Sequence, residues 1–307
     1  MQTDIIASTH LGKKSEGSSE YNPSLLVAIP REENRKKYGI GESTTLYPNA
    51  LAGELVPFLG FDVWHSYEFS CITENGLPVT RVLKLIYDCK SEYIVESKSL
   101  KLYLNSFNMT RFGKTTKECL AICKEKIEKD LSEKLETKVI INFLNSKSEH
   151  TEIFQDFGNI MDYVDEASIV CEDFKETPEV LKIEDTKGTQ EYKLTFDSLR
   201  SNCRVTHQPD FGDVFIYYKS KKHIKESSLV KYLVSFRSEY HFHEECVEMI
   251  FKRLSDLLDN NDGLMVCALY TRRGGIDITP YRYKNCYLED ITKLIDLNIF
   301  ARNGIKQ

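Results

Sequence analysis

A thiol and a carboxyl stand close together in the run Ser201-Asn202-Cys203-Arg204-Val205-Thr206-His207-Gln208-Pro209-Asp210-Phe211-Gly212. The stretch is polar, rich in turn residues, and falls where a strand ends. A ligand can reach a thiol at Cys203, and a nearby cation or hydrogen-bond donor would favour its thiolate. Asp210 follows a turn set by Pro209 and Gly212, so its carboxyl can fold back towards the sulfur. Sulfur would attack an electrophilic carbon while the acid protonates the atom that gains charge. The same spacing also suits a buried packing cysteine beside a turn aspartate. Cys71 occupies nearly the equivalent place in the first half of the chain, with Pro78 where the second half has Asp210, and is read as packing.

A second cluster is Glu96-Ser97-Lys98-Ser99-Leu100-Lys101-Leu102-Tyr103, taken as a strand edge running into a strand over 100–107. One carboxylate with two cations is costly to bury without partners. The run is therefore either a solvated face or one that meets a ligand: Glu96 would accept two N–H bonds from a guanine-like edge, and Lys98 and Lys101 would meet phosphates. His241-Phe242-His243-Glu244-Glu245 opens a helix. Acids there suit the helix dipole. In a functional role His243 becomes a proton relay, Glu244 a second acceptor for a base, and Phe242 a stacking surface. Two histidines alone are a weak metal signal. Thr271-Arg272-Arg273-Gly274-Gly275 follows a strand and lets guanidinium and backbone approach a phosphate closely, although Arg-Gly turns are also common. Gly39-Ile40-Gly41 lacks the third glycine and the preceding strand of a dinucleotide fingerprint, so a nicotinamide cofactor would be held without a Rossmann unit.

The elements that must position these groups come in two sets. Val63, Tyr67, Phe69 and Cys71 alternate as on one face of a strand. The Asn75-Gly76 turn leads to a second strand over Val79 to Tyr87. A strand over Leu100 to Phe107 follows. Thr115 with Glu118 has the capping-box spacing and opens a helix with Leu120, Cys123, Ile127 and Leu131 on one side; Val139 to Leu144 returns as a strand. The second half repeats the order: strands at Asn202 to Thr206, Val214 to Tyr218 and Leu229 to Phe236, a helix over Phe242 to Leu258, and a strand at Leu264 to Tyr270. Tyr103-Leu104-Asn105-Ser106-Phe107 matches Tyr232-Leu233-Val234-Ser235-Phe236, each just before its helix, which points to internal duplication. The expected organisation is an N-terminal arm over 1–55, a first module over 56–145, an acidic connector over 146–190 and a second module over 191–307, of α+β class with a ligand cleft between modules.

At 307 residues the chain can bury sizeable cores, and a net charge of -6 argues against a broad footprint for nucleic acid. The start Met1-Gln2-Thr3-Asp4-Ile5-Ile6 has no basic or apolar leader character, and no apolar run approaches a membrane span. The nine cysteines include no Cys-x-x-Cys pair, so reduced thiols in the cytoplasm are the expectation.

Together, Glu96-Ser-Lys-Ser-Leu-Lys-Leu-Tyr103, the Ser201–Gly212 run, Phe242-His-Glu-Glu-Cys-Val-Glu248 and Tyr270-Thr-Arg-Arg-Gly-Gly-Ile-Asp277 resemble the bimodular 7-cyano-7-deazaguanine reductases, the nitrile reductases of queuosine biosynthesis. The resemblance runs from Ser24-Leu25-Leu26 nearly to the end. It implies two tandem tunnelling-fold modules, antiparallel sheets with helices on one face, and a homodimer. It further implies that Cys203 adds to the nitrile carbon to give a thioimide, that Asp210 protonates nitrogen, and that His243 assists. Two NADPH molecules per turnover would reduce the bound group to the amine, with no metal. Val95, Glu96, Ser97, Phe242, His243 and Glu244 would hold the deazaguanine; Ser97, Lys98, Arg273 and Gly274 would hold NADPH. Cys71, where a larger apolar residue is expected, and the stretch from Ser146 to Lys187 depart from the family pattern. Two rivals remain: a zinc cyclohydrolase of the same superfamily, whose Cys-and-paired-His ligand set is incomplete here, and a non-catalytic purine-binding module.

Overall fold

The structure, a computed structural model, describes residues 20–40, 47–48 and 55–306. Its elements run β1 (Ala28–Pro30), α1 (Glu32–Lys37), β2 (Tyr47–Pro48), β3 (Leu55–Val56), β4 (Leu59–Ile72), β5 (Pro78–Asp88), β6 (Tyr93–Val95), α2 (Ser97–Asn105), α3 (Thr116–Leu135) and β7 (Val139–Leu144). After β8 (Glu149–Glu152) and β9 (Gly158–Asn159) come β10 (Ile183–Cys203), β11 (Pro209–Ile224), α4 (Glu226–Val234), β12 (Tyr240–His241), α5 (His243–Leu257), β13 (Gly263–Tyr270) and β14 (Ile276–Lys284). The chain closes with α6 (Glu289–Ile295) and β15 (Ile299–Arg302).

The fold is α+β, as expected. The expected order within each half needs correction. Leu100–Asn105 and Leu229–Phe236 are helical rather than strands, with Ser106 and Phe107 in the turn after the first helix. Glu96 accepts hydrogen bonds from the backbone N–H groups of Lys98 and Ser99, and the Ser99 hydroxyl bonds back to the Glu96 carbonyl. Those bonds satisfy the first free donors of a helix. The duplicated pentapeptide occupies matching helical ends: Ser106 and Ser235 each bond their Oγ to the carbonyl three residues earlier at 2.6 Å. Each half is thus a hairpin, two helices and a returning strand. Most of the arm expected over 1–55 lies outside the described residues. Its described part is tied down, since β1 pairs antiparallel with β6 and Leu26 and Ile29 are buried. β10 begins at Ile183, inside the stretch expected as connector.

Both halves share one sheet, in the order β12-β10-β11-β13-β14-β4-β5-β7, with β9 added beside β10. The halves join where β14 pairs antiparallel with β4 from Ile276↔Ser66 to Tyr283↔Leu59. Gly60 makes this seam possible: a Cβ there would lie 2.1 Å from the Tyr281 carbonyl oxygen. A bulge in β4 between Ser66 and Phe69 shifts the alternation. Phe69 and Cys71 consequently share a core with Trp64 under α2 and α3, whereas Val63 packs on the opposite sheet face with Phe215 and Tyr281.

Five buried or half-buried charges lock α5 over the seam. Arg282 donates to Asp62 Oδ1 at 2.9 Å and to Glu248 Oε1 at 2.9 Å, Arg35 donates to Glu248 at 2.7 and 2.8 Å, and Arg31 pairs with Asp62. Burial alone would push the Glu248 carboxyl up; the guanidinium groups of Arg35, Arg282 and Arg31 outweigh it and hold the pKa at about 2. Every charge in this interior has an opposite partner, the condition under which buried ions are tolerated. The network fixes the helix that carries His243 and Glu244 one turn earlier.

Candidate active site

Cys203 ends β10, and a short turn leads into β11. Its N–H donates to the Gln208 carbonyl at 2.8 Å and its carbonyl accepts from His207 N–H at 2.9 Å. Closing this turn puts His207 at φ 57°, the left-handed region. Ser201 pairs with Asp210 across the hairpin. Side chains two apart share a strand face, so Asp210 is the diagonal neighbour of Cys203. The register also corrects the equivalence expected between Cys71 and Cys203. Ile72↔Pro78 in the first hairpin matches Asn202↔Pro209 in the second, which aligns Cys71 with Ser201 and Thr73 with Cys203.

One cavity of about 200 Å³ is lined by Trp64, Val95, Ser97, Lys98, Lys101, Cys203, Asp210, His241, Phe242, His243, Glu244, Arg273, Gly274, Ile276 and Ile278. Residues from both halves of the chain line it. Of the expected site residues only Glu96 is not part of the lining. It is buried, and its two oxygens cap α2 at 3.1 and 2.7 Å. That cap fixes Val95, Ser97 and Lys98 at the cavity wall.

Asp210 is held from two sides: Arg273 Nη1 bonds to Oδ1, and His243 Nε2 lies 3.5 Å from Oδ2. The His243 ring stacks on Tyr270 with centroids 3.9 Å apart and 19° between planes, which fixes its orientation. Arg273 also donates to Thr206 Oγ1 and Gln208 Oε1, each at 3.0 Å, so one guanidinium ties the Cys203 turn to the acid. Gly274 and Gly275, at φ 61° and 79°, form a two-residue hairpin turn that requires positive φ at both positions. Lys101 reaches over from α2, donating to the Gly274 carbonyl at 2.6 Å and pairing with Glu68 at 3.1 Å.

Glu244 is the electrostatic anomaly of the cavity. Burial, then the nearby Asp62 charge, push its carboxyl up to about 8, against the guanidinium groups of Arg31 and Arg282. Its Oε1 is buried with no hydrogen-bond partner among the described residues. A buried carboxyl oxygen left unsatisfied, on a residue that lines a cavity, has unused acceptor capacity. Next to it, His241 is raised: burial works against the charged form, but hydrogen bonds to Glu239 and Glu245 prevail. Glu245 also accepts from Phe242 N–H and Arg204, tying the helix start to the Cys203 turn.

An N-terminal family model, described as "Nitrile reductase, 7-cyano-7-deazaguanine-reductase N-term", matches residues 18–143, and a "QueF-like protein" model matches residues 209–289. NADPH-dependent 7-cyano-7-deazaguanine reductases are similar along nearly the whole chain. That of Rickettsia felis is 39% identical over 282 residues, covering 91% of this chain and 94% of the relative. That of Coxiella burnetii is 37% identical over 279 residues, covering 90% and 92%. This chain belongs to the 7-cyano-7-deazaguanine reductase family. Membership displaces the zinc cyclohydrolase alternative. The one group of three metal-ligating side chains found among the described residues is Cys71, Cys119 and Cys123, which lie in the first-module core rather than at the cavity. Among the described residues no helix is long and apolar enough to cross a membrane.

The cavity is also lined by residues that the motifs did not assign: Trp64, His241, Ile276 and Ile278. Ile276 and Ile278 alternate straight after the Gly-Gly turn and were legible as a strand face. Trp64 was not, because the β4 bulge places it opposite Val63 and on the side of Phe69 and Cys71.

Proposed function

We propose that this protein reduces the nitrile of 7-cyano-7-deazaguanine to the aminomethyl group at the cavity between its modules. The observation that carries this reading is the convergence of Cys203, Asp210, His243, Glu244 and Arg273 with Val95, Ser97 and Lys98 on one cavity wall.

In this reading the deazaguanine ring lies against Phe242, with its N–H edge on the unsatisfied Glu244 oxygen. Glu96 keeps acceptor capacity beyond the two helix N–H groups it caps, since a carboxylate has about four lone-pair sites, and is the second acceptor beside Val95 and Ser97. The Cys203 sulfur forms a bond to the nitrile carbon as one C–N π bond breaks, and the proton from the Asp210–His243 pair goes to nitrogen, giving a thioimide. NADPH, when bound, supplies two hydrides in succession for each nitrile reduced. The residues fit it without a Rossmann unit: Lys98, Lys101 and Arg273 are cations around the mouth, and Gly274 offers close backbone approach. After the first reduction the C–S bond breaks and Cys203 leaves as thiolate. The cavity walls limit access of water to the resulting imine until the second. A cytoplasmic location and a homodimer belong to the same reading and rest on the family resemblance.

The test is stoichiometry. Purified protein with 7-cyano-7-deazaguanine should oxidise two NADPH for each aminomethyl product, and no turnover, or a ratio of one, would overturn the proposal.

A further inference from the structure

A second residue of the cavity lining carries a buried polar atom without a partner among the described residues. Trp64 is 1% exposed, lines the cavity beside Ile278, its cross-strand neighbour, and has an indole Nε1 with no hydrogen-bond partner among the described residues. Buried tryptophan N–H groups normally find an acceptor. Here an orphan donor and an orphan acceptor, Glu244 Oε1, belong to two residues that line the same cavity. A guanine-type edge carries the complementary set: a ring carbonyl that accepts, next to N–H groups that donate. Glu244 answers the N–H groups and leaves the carbonyl unmatched.

We propose that the indole N–H of Trp64 is the donor that recognises the ring carbonyl of the substrate, making Trp64 a specificity-determining residue. The inference rests on the nitrile-reductase reading. Its consequence is discrimination by edge. An adenine-type nitrile presents an amino group where the carbonyl would be, so two donors meet and the buried N–H stays unsatisfied. Sites that hydrogen-bond a substrate group reject ligands lacking it far more strongly than apolar pockets do. The hydrophobic setting fixes the ring: Trp64 belongs to the core with Leu85, Val95 and Ile278, and β4 is held on both sides, by β5 and β14.

The chain has a single tryptophan, so its indole N–H gives one resonance that needs no assignment. In protein labelled with nitrogen-15 at the indole and carrying Cys203→Ala, the one indole N–H resonance should move downfield on adding 7-cyano-7-deazaguanine. It should move little with the analogue lacking the ring oxygen. In calorimetry, Trp64→Phe on the same background should weaken the oxo ligand about tenfold and leave the deoxo analogue unchanged. An unmoved resonance with the oxo ligand bound, or equal losses for both ligands, would overturn the proposal. If the protein with native Trp64 binds neither ligand, the functional reading itself fails, which is a distinct outcome.

Discussion

Replacing Glu244 with Gln tests whether the anomalous carboxyl is a ligand acceptor. Its unsatisfied oxygen and its pKa of about 8 lead to two linked effects. A hydrogen bond to a charged group contributes about 1.5–3 kcal/mol, and glutamine retains one acceptor while turning a second position into a donor. At pH 8 and above the loss should be about 2–3 kcal/mol, or roughly 30- to 150-fold in Kd for 7-cyano-7-deazaguanine. The pH dependence is the sharper signature. Below pH 8 the free site holds the proton, and freeing the carboxylate costs about 1.4 kcal/mol per pH unit. Binding to Cys203→Ala protein should therefore weaken about tenfold per unit from pH 8 down to pH 6, while the added Glu244→Gln change flattens the profile. Stability moves the other way. The folded carboxyl is raised above its usual 4.5, so its favourable contribution is complete below 4.5 and lost as pH rises to 8. Glu244→Gln should gain on the native protein across that window in urea unfolding. Calorimetry showing a flat native profile, or equal affinity for the glutamine variant, would refute the assignment.

Asp210→Asn removes the acid while leaving Cys203 in place, so NADPH-free adduct formation should slow by about 10²–10⁴; stopped-flow absorbance measures it, and thiol alkylation should still proceed. Lys101→Ala cuts the contacts to Gly274 and Glu68 and should lower kcat/KM for NADPH about fivefold to tenfold without changing the NADPH-free adduct rate. Gly60→Ala drives a methyl into the Tyr281 carbonyl across the seam and should destabilise the fold by about 3 kcal/mol, seen as a lower urea midpoint at unchanged slope.

Much of this was legible because period and capping carried it. The hairpin at β4–β5 and the helix opened by Thr115 followed from alternation, Asn75-Gly76 and an apolar stripe, and Thr115 Oγ1 does accept from Glu118 N–H at 3.2 Å. The strands expected at Leu100–Phe107 and Leu229–Phe236 failed for a local reason. Short segments dense in leucine and aromatic residues fit both periods, and side chain-to-backbone bonds at Glu96, Ser99 and Ser228 decide for helix. The same bonds explain why Glu96 was legible as important but not as a cap. Trp64 was missed because a β-bulge reverses which residues share a face, and nothing in the alternation of Val63, Tyr67, Phe69 and Cys71 marks it. The residues proposed for the chemistry came from motif resemblance, while their convergence on one cavity needed the β4–β14 seam, which local patterns do not encode.

The proposed chemistry turns on Cys203 as a nucleophile towards the nitrile. Intact mass and ultraviolet absorbance of the protein mixed with 7-cyano-7-deazaguanine, without NADPH, test it most directly. A covalent thioimide gives a mass gain of one ligand with a new absorbance band, both absent in Cys203→Ala. Ligand bound with no mass gain, or an adduct that survives in the alanine variant, would contradict it.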